Sequence, residues 1–173
     1  MKIAWVSSPS QGETDRLLAE TAAKLREEGV GLSGIVKVLD HIATAENGCE
    51  MKVRVLPEGP IVQITQDLGR GSNACRLDPG ALASAVSLVQ NAGLDGTKLF
   101  ILNKFGPEEA TGRGFCDVIG AALEQEIPVL VGVGASHEAF NHFADGMAEE
   151  LKPDQEAIYT WCQSAITESG PAQ

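Results

Sequence analysis

Two strand-length apolar runs without polar alternation, Thr97–Leu102 and Ile127–Val133, constrain this chain more than any other feature. A strand that faces water on one side alternates, so a continuous run belongs to a strand covered on both faces. Lys2–Val6 has the same character and opens the chain. Helical patterns separate these runs. Leu17, Leu18, Thr21, Ala22 and Leu25 recur at helical spacing before Gly29 and Gly31 end the first helix, and Leu32–Val38 follows as a second strand. Asp78-Pro79 starts another helix, with Leu82, Ala85, Val86 and Val89 inward. Phe115, Val118, Ile119 and Ala122 mark a further helix, Ser136 caps a short one, and Asp154–Ile166 is a last amphipathic helix. Such alternation predicts an α/β three-layer sandwich around a mainly parallel sheet. Met51–Leu56 does alternate, and with Pro57-Glu58-Gly59 and Pro60–Thr65 it predicts an antiparallel hairpin at one sheet edge. Asp40–Glu50, Gln66–Leu77 and Asn103–Gly112 read as loops.

At 173 residues the chain has the length of one domain, predicted over residues 1–166, with a frayed tail over 167–173. Charge narrows the partners. Lys and Arg total 13 against 24 Asp and Glu, a net −11, so a nucleic-acid or anionic-membrane surface is not expected. No apolar stretch is long enough to cross a bilayer, and the opening run is too short for a secretory signal. The expectation is a cytoplasmic protein. Cys49, Cys75, Cys116 and Cys162 are far apart and predict free thiols; Cys49 and Cys75 bind a thiophilic metal only if their loops meet.

In parallel α/β sheets ligands sit beyond the carboxyl ends of the strands. Here those ends are Ser7–Gly12, Asn103–Gly112 and Gly134–His137. The first, Ser7-Ser8-Pro9-Ser10-Gln11-Gly12-Glu13-Thr14, has the spacing of a phosphate-binding loop, which reads Gly, four residues, then Gly-Lys-Ser/Thr. Ser7 replaces the first Gly and Glu13 the Lys, while Gly12 and Thr14 are kept. Backbone amides around Gly12 and the helix start still suit an anion, with Ser10, Gly12 and Thr14 as contacts. Glu13 opposes it: two unit charges about 4 Å apart interact by about 4 kcal/mol at an effective dielectric of about 20. An anion site here therefore needs a cation from elsewhere. The alternatives are that Glu13 only complements its helix dipole, or that Glu13 and Thr14 hold a metal.

Lys104, in Asn103-Lys104-Phe105-Gly106, is one candidate cation; Asn103 stands where a nucleotidase carries its magnesium-linked Asp. Arg113, between Gly112 and Gly114, is a second, and Arg70 and Arg76 flank a Gly-containing loop. Arg70, Arg76, Lys104 and Arg113 converge on one anion or are scattered surface charges. Glu108 and Glu109 are either solvated carboxylates or a metal-holding pair. Asn-Lys opens a guanine-reading motif, but Gly106 replaces its Asp. His137 and His142, five apart, do not align on a helix face, and no Gly-x-Ser-x-Gly elbow supports a nucleophilic triad at Ser136-His137.

The blocks Met51–Leu56, Ile64–Gly69, Cys75–Leu82, Asn103–Gly106, Gly112–Phe115 and Pro128–Val133 resemble an uncharacterised bacterial domain family often encoded beside molybdate ABC-transporter genes. That family looks like a relative of P-loop nucleoside triphosphatases, which implies a P-loop NTPase-like fold, with Glu13 and Asn103 as departures. Three functions follow. The first is a cytoplasmic binder of a small anion, a nucleotide or an oxyanion such as molybdate, through Ser10, Gly12, Thr14, Arg70, Arg76, Lys104 and Arg113; the resemblance implies a role beside molybdate-transport components. The second is a nucleoside triphosphatase-like phosphohydrolase or phosphotransferase, with Lys104 or Arg113 replacing the P-loop Lys and Glu108 or Glu109 on Mg. The third is an interaction module that pairs through its hairpin edge and takes no small ligand.

Overall fold

The computed structural model describes residues 1–39, 51–66 and 76–170. Seven strands form one sheet: β1 (Ile3–Val6), β2 (Leu32–Lys37), β3 (Lys52–Val55), β4 (Ile61–Gln63), β5 (Leu99–Phe105), β6 (Val129–Val133) and β7 (Glu149–Leu151). Their spatial order is β4-β3-β2-β5-β6-β1-β7. Pairings β2–β5, β5–β6, β6–β1 and β1–β7 are parallel. Only β2–β3 and β3–β4 are antiparallel, so the expected hairpin does occupy one edge.

Helices cover both faces. On one, α1 (Glu13–Glu27) packs Leu17, Leu18, Ala22 and Leu25 against Ala4, Val6, Ile101 and Leu130, beside Ile158 and Cys162 of α6 (Gln155–Glu168). On the other, α2 (Pro79–Ala92), α4 (Cys116–Glu124) and α5 (His137–Phe143) bury Leu82, Val89, Ile119 and Phe140 against Phe100, Leu102, Val129 and Val131. Both faces of the central strands are therefore dry, which is why those runs do not alternate. Capping follows the sequence at two helices. The Asp78 carboxylate accepts from the amides of Gly80 (2.9 Å) and Ala81 (3.1 Å), and that of Asp154 from Ala157 (2.9 Å).

Several boundaries differ from expectation. Asn103 and Lys104 belong to β5, which runs through Phe105 across a register shift against β6. The predicted loop after it contains a one-turn helix, α3 (Pro107–Ala110). Strand β7 has no counterpart in the sequence reading. Ser136 precedes α5 without a side-chain capping bond. Helix α6 continues through Thr167 and Glu168, where a frayed end was expected. The predicted loop over Asp40–Glu50 lies outside the described residues, as does most of that over Gln66–Leu77.

Among the described residues no helix is long and apolar enough to cross a membrane. Cys116 and Cys162 are free and buried. Burial pushes their thiols up to about 11 and about 12, with Glu109 adding to the effect at Cys116, so both are protonated and unreactive at neutral pH. Cys49 and Cys75 lie outside the described residues.

Candidate functional site

The chain leaves β1 for β2 through α1 on one face and leaves β6 for β7 through α5 on the other. The crevice between the carboxyl ends of β1 and β6 is thus the point where an α/β sheet ordinarily binds ligand. A cleft of about 160 Å³ lies there, walled by Ser7–Gly12, Thr14 and Asp15, by Asn103 and Lys104, and by Gly132–Gly134.

The first loop folds upon itself. The Ser8 amide donates to Thr14 Oγ1 (2.9 Å), the Ser10 amide to Ser8 Oγ (3.2 Å) and the Glu13 amide to the Ser10 carbonyl (3.2 Å). Gly12 closes the turn at φ 75°, left-handed backbone that side-chain-bearing residues rarely adopt. Because Thr14 Oγ1 accepts from Ser8, its own proton stays available to a ligand. Glu13 does not line the cleft. Its carboxylate accepts from Ser8 Oγ (2.5 Å) and sits 3.5 Å from the Arg16 guanidinium. The repulsion expected from the sequence is thereby turned out of the cleft and partly neutralised.

Asp15 is the cleft's acid instead, and it is fully engaged. Oδ1 accepts from Asn103 Nδ2 (3.0 Å), Oδ2 pairs with Lys37 Nζ (3.3 Å), and Asn103 Oδ1 accepts from the Lys37 amide (3.0 Å). Asn103 is 1% exposed. It must donate to a carboxylate and accept from an amide at once, which a side-chain amide does and an ionised acid does not. At the position of the nucleotidase Asp, then, stands a clasp joining α1, β2 and β5.

Lys104 is exposed, and its side chain extends over Gly134, where an added Cβ would lie 3.6 Å from Lys104 Cε. It has no carboxylate partner among the described residues. Arg113 does not join it. Its Nε donates to Glu108 Oε2 at 2.8 Å, and the pair lines a separate cleft beside Pro79, Leu82 and Val86 of α2. The hydrogen bond to Arg113 holds Glu108 below the usual carboxylate range and raises the guanidinium in turn. Arg76 is exposed beside the Thr65–Leu77 bridge, its carbonyl accepting from the Gln66 amide at 2.8 Å. Arg70 lies outside the described residues. Of the cations singled out from sequence, Lys104 alone among the described residues shares the cleft with Ser10, Gly12 and Thr14.

Glu109 is neither a solvated loop acid nor on this cleft. It is 4% exposed, and its carboxylate accepts from the amides of Gly106 (3.0 Å) and Phe115 (3.1 Å), pinning both ends of the α3 turn. Glu109→Gln keeps the shape but leaves one amide facing an NH2 group. The expected loss is about 2 kcal/mol in urea unfolding; an unchanged midpoint would refute this pinning role. Sequence reasoning missed Asp15 and Lys37 as parts of the site. Asp15 had a weak signal, as an acid in the first turn of a helix that opens on the loop; Lys37, twenty-two positions away, had none.

Strand order, crossovers and cleft position together make this a P-loop NTPase-like α/β fold. Over the full length of both chains it is similar to the solution structure of a human cancer-related nucleoside triphosphatase, with a TM-score of 0.64 and 13% identity. The chain itself belongs to the family DUF2478, described as a protein of unknown function, whose profile matches residues 3–161. Across 163 residues, 92% of its length, it is 32% identical to the molybdenum import ATP-binding protein ModC 2 of Bradyrhizobium diazoefficiens. It spans 18% of that protein's length.

Proposed function

We propose that the chain is a cytoplasmic binder of a small anion, a nucleotide phosphate or a tetrahedral oxyanion such as molybdate, and that it serves molybdate handling as an accessory. One observation carries the reading: Lys104, without a carboxylate partner among the described residues, lines the same cleft as the Ser7–Thr14 loop. The loop supplies amides and the Thr14 hydroxyl, and Lys104 supplies the charge that a Lys at position 13 would otherwise bring. Binding is favoured over turnover because the carboxylates suited to magnesium are engaged: Asp15 with Lys37 and Asn103, Glu108 with Arg113, Glu109 with backbone amides. The molybdate link rests on the relative's printed name alone: a stretch similar to this chain occurs within a longer molybdenum import ATP-binding protein.

Thermal shift against ATP, GTP, molybdate, tungstate, sulfate and phosphate tests the reading. A ligand at about 100 times its dissociation constant adds about 2.7 kcal/mol, which raises the midpoint by roughly 5–10 °C for a chain of this size. Lys104→Ala is expected to abolish the shift while leaving the unliganded midpoint within about 1 °C, as for other exposed sites. A full shift in Lys104→Ala would refute the assignment. Silence across the panel would favour the interaction module instead, with pairing at β4, where Ile61 is 46% exposed. Phosphate release from ATP with magnesium, lost in Lys104→Ala, would favour the enzyme.

A further inference from the structure

A second cavity, of about 230 Å³, lies on the opposite side of β5 from the loop cleft. Val53, Ile64, Leu77, Leu82, Leu102 and Phe115 form most of its wall. Asn103 and Lys104 wall both cavities, so the carboxyl end of β5 is the ridge between them. Each cavity alone is smaller than the roughly 300–1,000 Å³ of ordinary organic-ligand sites; the two together reach that range. Their chemistry is complementary: one offers amides, a hydroxyl and an unpaired ammonium, the other hydrocarbon.

We infer that the ligand is an organic anion, with its anionic head in the loop cleft against Lys104 and an apolar body laid over the β5 ridge into the second cavity. The inference rests on the anion-binding reading above and narrows it, since a bare oxyanion fills the head position only. Glu109 fixes the orientation. Its buried carboxylate contributes to the wall of the apolar cavity and is directed at the Gly106 and Phe115 amides. An anionic group is thus repelled from that end, while the uncharged body is accepted. The site therefore selects against compounds charged at both ends.

The test compares 1-naphthyl phosphate, inorganic phosphate and 1-naphthol by isothermal titration. In the unaltered protein, naphthyl phosphate is expected to bind at least about tenfold tighter than inorganic phosphate, equivalent to about 1.4 kcal/mol. Lys104→Ala weakens both anions. Leu77→Trp fills the apolar cavity and removes the naphthyl advantage without changing inorganic phosphate binding. Leu82→Phe does the same from α2 and serves if the tryptophan disturbs the Thr65–Leu77 bridge; circular dichroism verifies the fold of each variant. Equal affinities for the two anions in the unaltered protein would overturn the two-compartment ligand and leave the anion site standing. A naphthyl advantage that survives both filled variants would overturn it too, as would 1-naphthol binding as tightly as its phosphate. No binding of either anion would overturn the anion reading itself.

Discussion

Gly132→Ala is expected to cost about 3–5 kcal/mol, a large share of the stability of a domain this size. Gly132 lies in β6, between β5 and β1, paired with Val6. An added Cβ would fall 2.1 Å from the Asn103 carbonyl oxygen and 2.9 Å from Leu18 Cδ1. Leu18 can turn away, but the carbonyl is backbone, fixed where β5 and β6 pass their register shift. Relief requires β5 to move, and Asn103 ties β5 to both α1 and β2. The clash therefore spreads into the loop cleft and is not absorbed locally. Urea unfolding measures the loss, with Gly120→Ala as the control. Gly120 is in α4, nothing lies within 4 Å of its added Cβ, and the change is expected to be neutral or to stabilise by up to about 1 kcal/mol. A loss at Gly132→Ala below about 1 kcal/mol would show that the two central strands are not held as closely as the geometry requires.

What could be read from the sequence divides along physical lines. β1, β6, α1 and α2 were legible because local signals and tertiary needs agree there: continuous apolar runs mark strands covered on both faces, and Asp78 with Pro79 marks a helix start. Asn103 and Lys104 were read as loop because two polar residues normally end a strand. They extend β5 because Asn103 finds its partners on α1 and β2, at sequence separations of 88 and 66. β7 was invisible: of Glu149, Glu150 and Leu151 only the leucine is buried, and the strand exists through its pairing with β1.

The site divides in the same way. That the first loop and Lys104 meet was open to inference, because both follow strands of one parallel sheet. That Glu13 would turn away was not, since the outcome depends on Ser8 and Arg16 holding it from two sides. Nor was the separation of Arg113. Its pairing with Glu108 bridges a turn outside any regular helix, where spacing rules give no guidance.

Asn103→Asp restores the residue type of a nucleotidase and is expected to damage this protein. At neutral pH the new carboxylate would lie where Asn103 Nδ2 now donates to Asp15 at 3.0 Å, in a site only 1% exposed. Two like charges about 4 Å apart at an effective dielectric of about 20 repel by about 4 kcal/mol. The Lys37 ammonium, 3.3 Å from Asp15, offsets part of this, leaving an expected loss of about 2–4 kcal/mol. The sign with pH is fixed. Repulsion raises the folded-state pKa of the pair above its unfolded value of about 4, so the folded state binds the extra proton and stability falls as pH rises through the raised pKa. Urea unfolding at pH 4.5 and pH 8 should thus show the deficit small at the lower value and complete at the higher. Asn103→Ala, which loses the same hydrogen bonds without adding charge, should show a deficit that does not change with pH in this way. A pH-independent deficit in Asn103→Asp would remove the clasp as the reason for the amide. If the variant kept full stability and gained magnesium-dependent phosphate release from ATP, the amide would instead be what holds a nucleotidase site silent. The expected result places the difference from hydrolytic relatives in the architecture: the residue that would hold a metal has been committed to holding the helix under the anion cleft.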